Sequence, residues 1–552
     1  MMNYKKYKKM YHPIPLETRD WPSNEITHAP IWCSVDLRDG NQALYSPMTI
    51  DEKIEFFQYL VKMGFKEIEV GFPAASETEY NFIRRLIEEN YIPDDVTIQV
   101  LTQAREHIIK RTVEALKGAK NVIIHLYNST STLQRKVVFK KDKEEIIRIA
   151  VEGAKLLKKL VAGFEGNVRF EYSPESFTCT EMDYAAEITN KVLDVFEPTA
   201  DRKVIVNLPS TIEVATANVY ADQIEYMHKH LKYRENVVIS IHAHNDRGTG
   251  VASSELALLA GADRVEGTLF GNGERTGNAD IVVIALNLFS QGIDPKLDIS
   301  NIDEVVEVYE KFNRLPIHPR HPYAGEMAYV AFSGSHQDAI KKSMDMCNGK
   351  DDGYWENPYL TIDPTDLGRK YEPILINSQS GKGGISYVME NKFGYTIPKD
   401  MLIQFSKIIQ AMSDEHQDVI PPEKIYETFK NTYINLNKPL KLAFYQSQID
   451  AGITNIEATV EIDGAVKKIE ASGNGPLDAL CKGFKKELGK DFEIISYTEH
   501  ALEKSSNSQA VSYIGLKDEN GKVSWGAGVD DSINTSSLYA LVSAVNRMEE
   551  NK

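Results

Sequence analysis

The feature that most constrains the fold of this chain is a strand-then-helix pattern that repeats eight times between residues 31 and 270. Each repeat begins with a short apolar run that ends in polar residues and continues into a segment long enough for a helix. This alternation predicts parallel strands, because a crossover helix brings the chain back to start the next strand in the same direction. The predicted strands are residues 31–35, 67–70, 97–101, 121–124, 168–170, 203–206, 237–241 and 264–267.

Eight such units over this length predict an α/β fold, a TIM (β/α)8 barrel. An open doubly wound sheet is the alternative, because strand number alone does not demonstrate closure. The first helix has a capping-box signal, Thr49 followed by Glu52, just before its apolar positions. In a TIM barrel the residues that directly follow the strands gather at one end, so these residues are the candidates for chemistry.

Two histidines, His242 and His244, lie at the end of the seventh predicted strand. Side chains two residues apart on a strand point the same way, so both imidazoles face one point. Asp39 after the first strand and Asn278 after the eighth would add oxygen ligands. This donor set fits a divalent cation that keeps open positions for substrate, whereas the simpler alternative is a pair of packed or hydrogen-bonded histidines. We expect Mg²⁺, with Mn²⁺ or Zn²⁺ as alternatives.

Seven stretches of the chain share their residues and their order with one enzyme family. They are residues 36–42, 126–131, 170–176, 242–246, 271–278, 332–338 and 377–384. Together they resemble the Claisen-type acyl-CoA synthases that make isopropylmalate, homocitrate and citramalate. The resemblance is greatest to 2-isopropylmalate synthases of the longer-chain class, and it runs from about Asp36 to the C-terminus.

The resemblance implies an acyltransferase that condenses acetyl-CoA with 2-oxoisovalerate and water to give 2-isopropylmalate and CoA, the first committed step of leucine biosynthesis. Homocitrate or citramalate synthesis is the alternative within the family, because pockets that differ by a few methyl groups discriminate only modestly between substrates. An acyl-CoA lyase on the same barrel is the alternative from another class. A leucine sensor with an inactive barrel is a third interpretation, disfavoured because every matching metal and base residue is present.

The resemblance also implies roles for individual residues. Arg38 stands next to Asp39 and would donate to the substrate oxygen that gains charge in the condensation. Glu175 and His336 match the pair that removes a proton from the acetyl methyl group, with His336 supplied by the linker region of the neighbouring subunit. The positions that match substrate-binding residues are Arg38, His125, Tyr127, Ser173, Thr211 and Tyr359.

Charge and cysteine content exclude other classes. The formal net charge is −17, which argues against nucleic acid and against an anionic membrane as partners. The four cysteines are too scattered for a metal motif or a disulfide framework, so they indicate a cytoplasmic protein. Residues 1–30 carry cations without an apolar stretch behind them, and we interpret them as an N-terminal extension.

We expect the barrel over residues 31–300, helical linker subdomains over 301–435 and a C-terminal domain over 436–552. The last domain contains a weak repeat of strands, a glycine-rich turn and a helix, which predicts a duplicated α+β domain. The resemblance implies that this domain binds leucine as a feedback inhibitor and that the chain forms a homodimer. The predicted regulatory residues lie in the two glycine-rich turns: Gly473, Asn474, Gly475, Gly526, Ala527 and Gly528.

Overall fold

The computed structural model describes residues 3–347, 353–369, 382–416, 420–489, 491–503 and 508–550. The chain forms two compact units. The first unit comprises residues 1–328 and 364–370, and the second comprises residues 329–363 and 371–552. Of the last family-like stretch, residues 377–381 lie outside the described residues.

The first unit contains a closed barrel of eight parallel strands, which confirms the predicted TIM barrel and excludes the open sheet. Closure is made by the first and last strands, where Ile31 is in register with Arg264 and Ser34 with Gly267. The strands are β1 Ile31–Ser34, β2 Glu67–Gly71, β3 Thr97–Gln103, β4 Asn121–Ser129, β5 Asn167–Glu175, β6 Val204–Ser210, β7 Val237–Ala243 and β8 Arg264–Gly267.

Helices alternate with these strands. They are α1 Ile50–Met63, α2 Glu77–Glu88, α3 Glu106–Ala115, α4 Thr132–Gln134, α5 Lys143–Leu160, α6 Met182–Phe196, α7 Ala217–His230, α8 Gly250–Leu259, α9 Ile281–Phe289 and α10 Ile302–Asn313. The predicted capping box at Thr49 and Glu52 is present at the start of α1. The Phe312 ring of α10 stacks on Phe56 of α1 at 5.1 Å, so the first unit continues beyond residue 300.

The interior of the barrel holds buried ions as well as apolar side chains. Arg264 at the start of β8 has no exposed surface. Its Nε lies 2.6 Å from Glu67, its Nη1 lies 2.6 Å from Glu266, and its Nη2 donates to Gln99 at 2.7 Å. Carboxylates in a barrel interior need such a partner, because burial without one disfavours their charge.

The second unit begins with helices α11 Gly334–Cys347, α12 Lys382–Phe393, α13 Lys399–His416 and α14 Pro422–Tyr433. Two similar modules follow, each with three antiparallel strands and a helix. They are β9 Leu440–Asp450, β10 Ile453–Ile462, β11 Ala465–Gly473 and α15 Pro476–Leu488, then β12 Phe492–Ala501, β13 Ala510–Asp518, β14 Val523–Asp530 and α16 Ile533–Glu550. The predicted duplicated α+β domain is therefore confirmed. Among the described helices, none combines the length and the hydropathy that crossing a bilayer requires.

The second sheet of this unit also supports the helices that precede it. Tyr513 of β13 and Trp525 of β14 share a buried cluster with Met389, Phe405 and Phe429, which come from α12, α13 and α14. The helices and the second module therefore have a common core. Removing residues 436–552 would expose the apolar faces of α12–α14, so such a truncation is a poor test of regulation.

Our prediction of a second glycine-rich turn is wrong, because its residues form part of a strand. Gly526, Ala527 and Gly528 lie inside β14, paired with Ile514, Tyr513 and Ser512 of β13. A Cβ atom at Gly526 would stand 2.2 Å from the backbone nitrogen of Ala544, and one at Gly528 would stand 1.9 Å from the Ser536 carbonyl oxygen. These glycines let α16 pack directly on the strand backbone, a role that the sequence pattern does not distinguish from a turn.

The other predicted turn is where we expected it. Gly473 ends β11, and Gly475 is the N-cap of α15. The backbone N–H of Asn474 donates to the Asp478 carboxylate at 2.9 Å.

Candidate metal centre and substrate site

The structure brings together the three charged or imidazole side chains that we predicted as metal ligands. One ligand atom from each of Asp39, His242 and His244 lies within 4.8 Å of the others, and all three residues are buried. The Nε2 atom of His242 is 3.1 Å from Asp39 Oδ2, and the Nε2 atom of His244 is 3.9 Å from the same oxygen. His242 is in β7, His244 directly follows that strand, and Asp39 lies in the helical turn Asp36–Gly40 after β1.

A hydrogen-bond acceptor at Nδ1 orients each of the two imidazoles. The Nδ1 atom of His242 is 2.8 Å from Glu266 Oε2, and the Nδ1 atom of His244 is 3.3 Å from the Gly277 carbonyl oxygen. An acceptor at Nδ1 fixes the proton there and leaves the Nε2 lone pair for a metal. Glu266 was not predicted as a site residue; the signal that could have identified it is an acidic residue within the eighth predicted strand.

Asn278 is the fourth residue that we predicted as a metal ligand. Its Nδ2 donates to the Asn272 carbonyl oxygen at 3.1 Å, and the residue pairs with His244 in an isolated bridge. Its Oδ1 is buried and has no hydrogen-bond partner within the described part of the chain. A buried amide oxygen left without a donor, on a residue that pairs with His244, fits a bound divalent cation.

A second group of potential ligands lies in the barrel interior, formed by His125, Glu171 and Glu266. Its carboxylates already face a cation, since Arg264 Nη1 lies 2.6 Å from Glu266 and 3.4 Å from Glu171. Burial and the neighbouring Glu266 raise the pKa of Glu171 well above its usual value, which favours its neutral form. We therefore place the candidate metal centre at Asp39, His242 and His244.

Electrostatics set the protonation of the metal-free ligands. Burial acts against the charge of Asp39, but Arg38 and His242 outweigh it and hold the pKa of Asp39 far below its usual value. Burial lowers the pKa of His242, but its hydrogen bonds to Asp39 and Glu266 outweigh that effect and raise the pKa to about 10. Burial and the cationic His242 lower the pKa of His244 to about 4.

Metal binding should therefore release about one proton per ion near pH 7.5. A ligand imidazole must be neutral, and His242 stays protonated below pH about 10, whereas His244 is already neutral above pH about 4. Affinity should consequently fall about tenfold for each unit by which pH falls below about 9. Calorimetric titration with Mn²⁺ in two buffers of different ionisation enthalpy measures the released proton, and an enthalpy that does not depend on buffer would contradict the prediction.

Arg38 is fixed between two carboxylates. Its Nη1 donates to Asp39 Oδ1 at 2.6 Å, and its Nε donates to Glu69. Burial lowers the pKa of the guanidinium, but Asp39 and Glu69 outweigh that effect and raise it above its already high value, so Arg38 remains charged. It is a fixed cation next to the candidate metal centre.

A chain of hydrogen bonds connects two of the predicted substrate residues, His125 and Ser173, with Glu69 and Asn207. Ser173 Oγ is 2.6 Å from His125 Nε2, and His125 Nδ1 is 2.9 Å from Glu69 Oε2. An ionised carboxylate only accepts, so His125 donates from Nδ1; a neutral imidazole with its proton there accepts the Ser173 hydroxyl proton at Nε2. Asn207 Nδ2 completes the chain by donating to Ser173 Oγ at 3.1 Å. Glu69 was not predicted as a site residue, whereas Asn207 directly follows the sixth predicted strand and is therefore among the candidates for chemistry.

Glu175 ends β5 opposite Ser129 of β4, and the Ser129 hydroxyl donates to the Glu175 carboxylate. The next residue, Ser176, has a left-handed backbone with φ of 58°, and its N–H donates to Thr211 Oγ1 at 2.9 Å. Because the Thr211 oxygen accepts from the backbone, its own proton stays available for a substrate. Tyr127, also in β4, receives a hydrogen bond from Gln103.

The two remaining predicted residues, His336 and Tyr359, lie in the second unit. Their rings stack with centroids 4.1 Å apart and planes 29° apart. The Asn357 side chain accepts from the backbone N–H groups of Tyr359 and Leu360, at 3.0 and 3.1 Å, which holds the turn that presents the tyrosine. The structure thus brings this pair together, and the pairing of His336 with Glu175 stays a prediction.

Three family models match consecutive parts of the chain. Residues 29–308 match the HMGL-like family, and residues 326–390 match the post-catalytic domain-like region of alpha-isopropylmalate synthase. Residues 419–549 match the LeuA allosteric (dimerisation) domain.

Curated relatives are similar over almost the whole length. A 2-isopropylmalate synthase of Acetoanaerobium sticklandii is 58% identical over 99% of this chain and 97% of its own. Proteins of the same name from Clostridium acetobutylicum and Helicobacter hepaticus are each 53% identical over 99% of this chain, and over 99% and 100% of their own.

Proposed function

Because this chain belongs to the 2-isopropylmalate synthase family, we propose that it condenses acetyl-CoA with 2-oxoisovalerate and water to give 2-isopropylmalate and CoA. The observation that carries the proposal is the buried group of Asp39, His242 and His244, together with the unpartnered side-chain oxygen of Asn278, the residue that pairs with His244. The shared name of relatives over both units favours this reaction over a lyase and over the synthesis of homocitrate or citramalate.

The four ligand residues would hold a divalent cation, and we propose Mg²⁺. When bound, such an ion polarises a 2-oxo group and neutralises charge on its oxygen. The chain's own residues do the positioning. Arg38 donates to the substrate oxygen that gains charge as the carbon–carbon bond forms, and Thr211 donates to the carboxylate of the 2-oxo acid.

Glu175 is the proposed base for the acetyl methyl proton. The hydroxyl of Ser129 donates to one side of the Glu175 carboxylate, and an oxygen within reach of the methyl group would take the proton. We assign His336 to the same step, supplied by the neighbouring subunit of a homodimer. Tyr359 stacks on His336 and would hold the imidazole plane beside the acyl-CoA. His125, Ser173 and Tyr127 line the acceptor site.

We further propose feedback inhibition by leucine through the C-terminal domain. The match of residues 419–549 to an allosteric, dimerisation domain supports this proposal. Gly473, Asn474 and Gly475 at the start of α15 are the proposed regulatory residues, because a helix N-terminus offers N–H groups to a carboxylate. The four free cysteines support a cytoplasmic location.

A single assay of thiol release from acetyl-CoA tests the proposed reaction. Release should be at least tenfold faster, as kcat/KM, with 2-oxoisovalerate than with pyruvate or 2-oxoglutarate, because about 1–3 kcal/mol is at stake per methylene. Chelation should abolish release and Mg²⁺ should restore it. L-leucine should lower turnover, and raising 2-oxoisovalerate should not relieve the inhibition.

Three outcomes of the same assay would contradict the proposal. Equal rates with all three acids, or a higher rate with another acid, would reassign the acceptor. Thiol release that persists after chelation would remove the metal centre from the mechanism. Competition between leucine and 2-oxoisovalerate would place leucine in the barrel and end the regulatory assignment of the C-terminal domain.

A further inference from the structure

The chain leaves the first unit after residue 328 and returns to it for residues 364–370. Arg369 of the returning segment fastens it to the leaving segment. Its guanidinium donates to the carbonyl oxygens of Ala324 at 2.6 Å, Gly325 at 3.0 Å and Tyr323 at 3.4 Å. It also pairs with Asp303 of α10, with Nε 2.9 Å from Oδ1. We call residues 318–328 together with 364–369 the junction.

The junction contacts residues 268–280, the loop between β8 and α9 that carries Asn278. His321 Nε2 is 2.6 Å from Asp280 Oδ2, two residues beyond Asn278, and its Nδ1 is 2.9 Å from the Pro322 carbonyl oxygen. The other oxygen of Asp280 accepts from the N–H of Val283 at 3.1 Å and caps α9. Asp280 therefore ties the end of the loop to a helix on one side and to His321 on the other.

The opposite end of this loop is tied to the turn that carries Asp39. The Leu269 N–H donates to the Asp36 carboxylate at 3.0 Å, and Asn272 Nδ2 donates to the Gly40 carbonyl oxygen at 3.1 Å. The loop thus connects the Asp39 turn with the Asp280–His321 contact. A shift at the Asp280 end would move the Asn278 oxygen relative to Asp39.

We propose that His321 is a positioning residue of the metal centre, which acts through Asp280 to fix the loop that carries Asn278. The inference rests on the proposed metal centre and adds a residue outside the ligand set. Partners behind the ligands of a metal site set the orientation of those ligands, and their removal typically weakens metal binding 10–100-fold. Asp280 is two residues from Asn278 and also caps α9, so its contact with His321 would fix the backbone that carries Asn278.

Mn²⁺ titration of the metal-stripped full-length protein, followed by the electron paramagnetic resonance signal of free Mn²⁺, tests the proposal. His321→Ala should weaken Mn²⁺ binding about tenfold. His321→Gln, which keeps one N–H for Asp280, should recover part of the loss. Tyr323→Phe is the matched control: it removes the 2.7 Å hydrogen bond from Tyr323 to Asn287 of α9, so the junction loses a contact away from the metal loop. Its Mn²⁺ affinity should stay within twofold of wild type.

Asp280→Asn keeps the test decisive if His321→Ala does not fold. Asparagine also caps helices but lacks the charge that pairs with His321, so this variant should lose about tenfold in affinity while keeping α9. Wild-type affinity in Asp280→Asn or in a folded His321→Ala would overturn the role of His321. An equal loss in Tyr323→Phe would do the same, because it would assign the effect to the junction as a whole. Wild-type protein that binds no Mn²⁺ would overturn the metal centre itself, together with this inference.

Discussion

His242→Ala is expected to lower turnover about 1,000-fold or more while leaving the barrel folded. The substitution removes a ligand nitrogen and leaves the proposed cation with one imidazole, a carboxylate and an amide oxygen. A metal that polarises a carbonyl contributes several kcal/mol to the transition state, and each 1.36 kcal/mol is about tenfold in rate. The fold should persist because His242 lies at the end of β7, and its partner Glu266 keeps its ion pair with Arg264.

Three measurements check this result: thiol release with 2-oxoisovalerate, Mn²⁺ affinity, and the thermal unfolding midpoint. His107→Ala is the matched control, because His107 is an exposed histidine of α3. It should keep wild-type activity and Mn²⁺ affinity. Near-normal turnover of chelator-treated His242→Ala would disprove both the role of His242 as a metal ligand and the need for a metal in turnover.

Arg264→Met is expected to destabilise the first unit by about 3–5 kcal/mol, the usual cost of removing one partner from a buried ion pair. Glu67 and Glu266 would lose the guanidinium that lies 2.6 Å from each of them. In the native protein these contacts hold the pKa values of Glu67 and Glu266 below their usual values against the effect of burial. Without Arg264, Glu67 keeps its ion pair with Arg169 and Glu266 keeps its contact with His242, but burial is offset less completely and the pKa of both carboxyls rises.

The pH dependence of the unfolding free energy of Arg264→Met distinguishes the effect of the lost charge from the effect of lost packing. Protonation relieves stranded carboxylates, so the difference in unfolding free energy from wild type should shrink as pH falls from about 8 to about 5.5. Urea unfolding at both pH values measures it. Arg202→Met, at an exposed position, should stay within about 0.5 kcal/mol. A loss below about 1 kcal/mol for Arg264→Met at pH 8, or a loss that grows on acidification, would disprove the argument.

The barrel was predictable because its signal is local and repeated. Each strand is a short apolar run, and each run ends in polar residues that meet the others at one end of the barrel. Asp39, His242, His244 and Asn278 were found in this way. Their convergence in the structure follows from strand order rather than from any contact that the sequence displays.

The missed residues have a different origin. Glu69 and Glu266 lie within predicted strands, where alternation identifies the inward face but not the depth of a side chain in the barrel. Their partners come from other strands, and a single sequence contains no sign of that pairing. Gly526 and Gly528 show another limit, because glycine permits a turn and permits a helix to pack closely on a strand.

The junction also determines what a break in the backbone would do. Residues 364–370 belong to the first unit although residues 329–363 before them and 371–552 after them belong to the second. A protease cut between residues 353 and 363 would therefore divide the polypeptide without freeing its C-terminal part, because Arg369 would still bind the carbonyls of residues 323–325. The two fragments of such a cut are therefore expected to copurify under native conditions and to separate in denaturant.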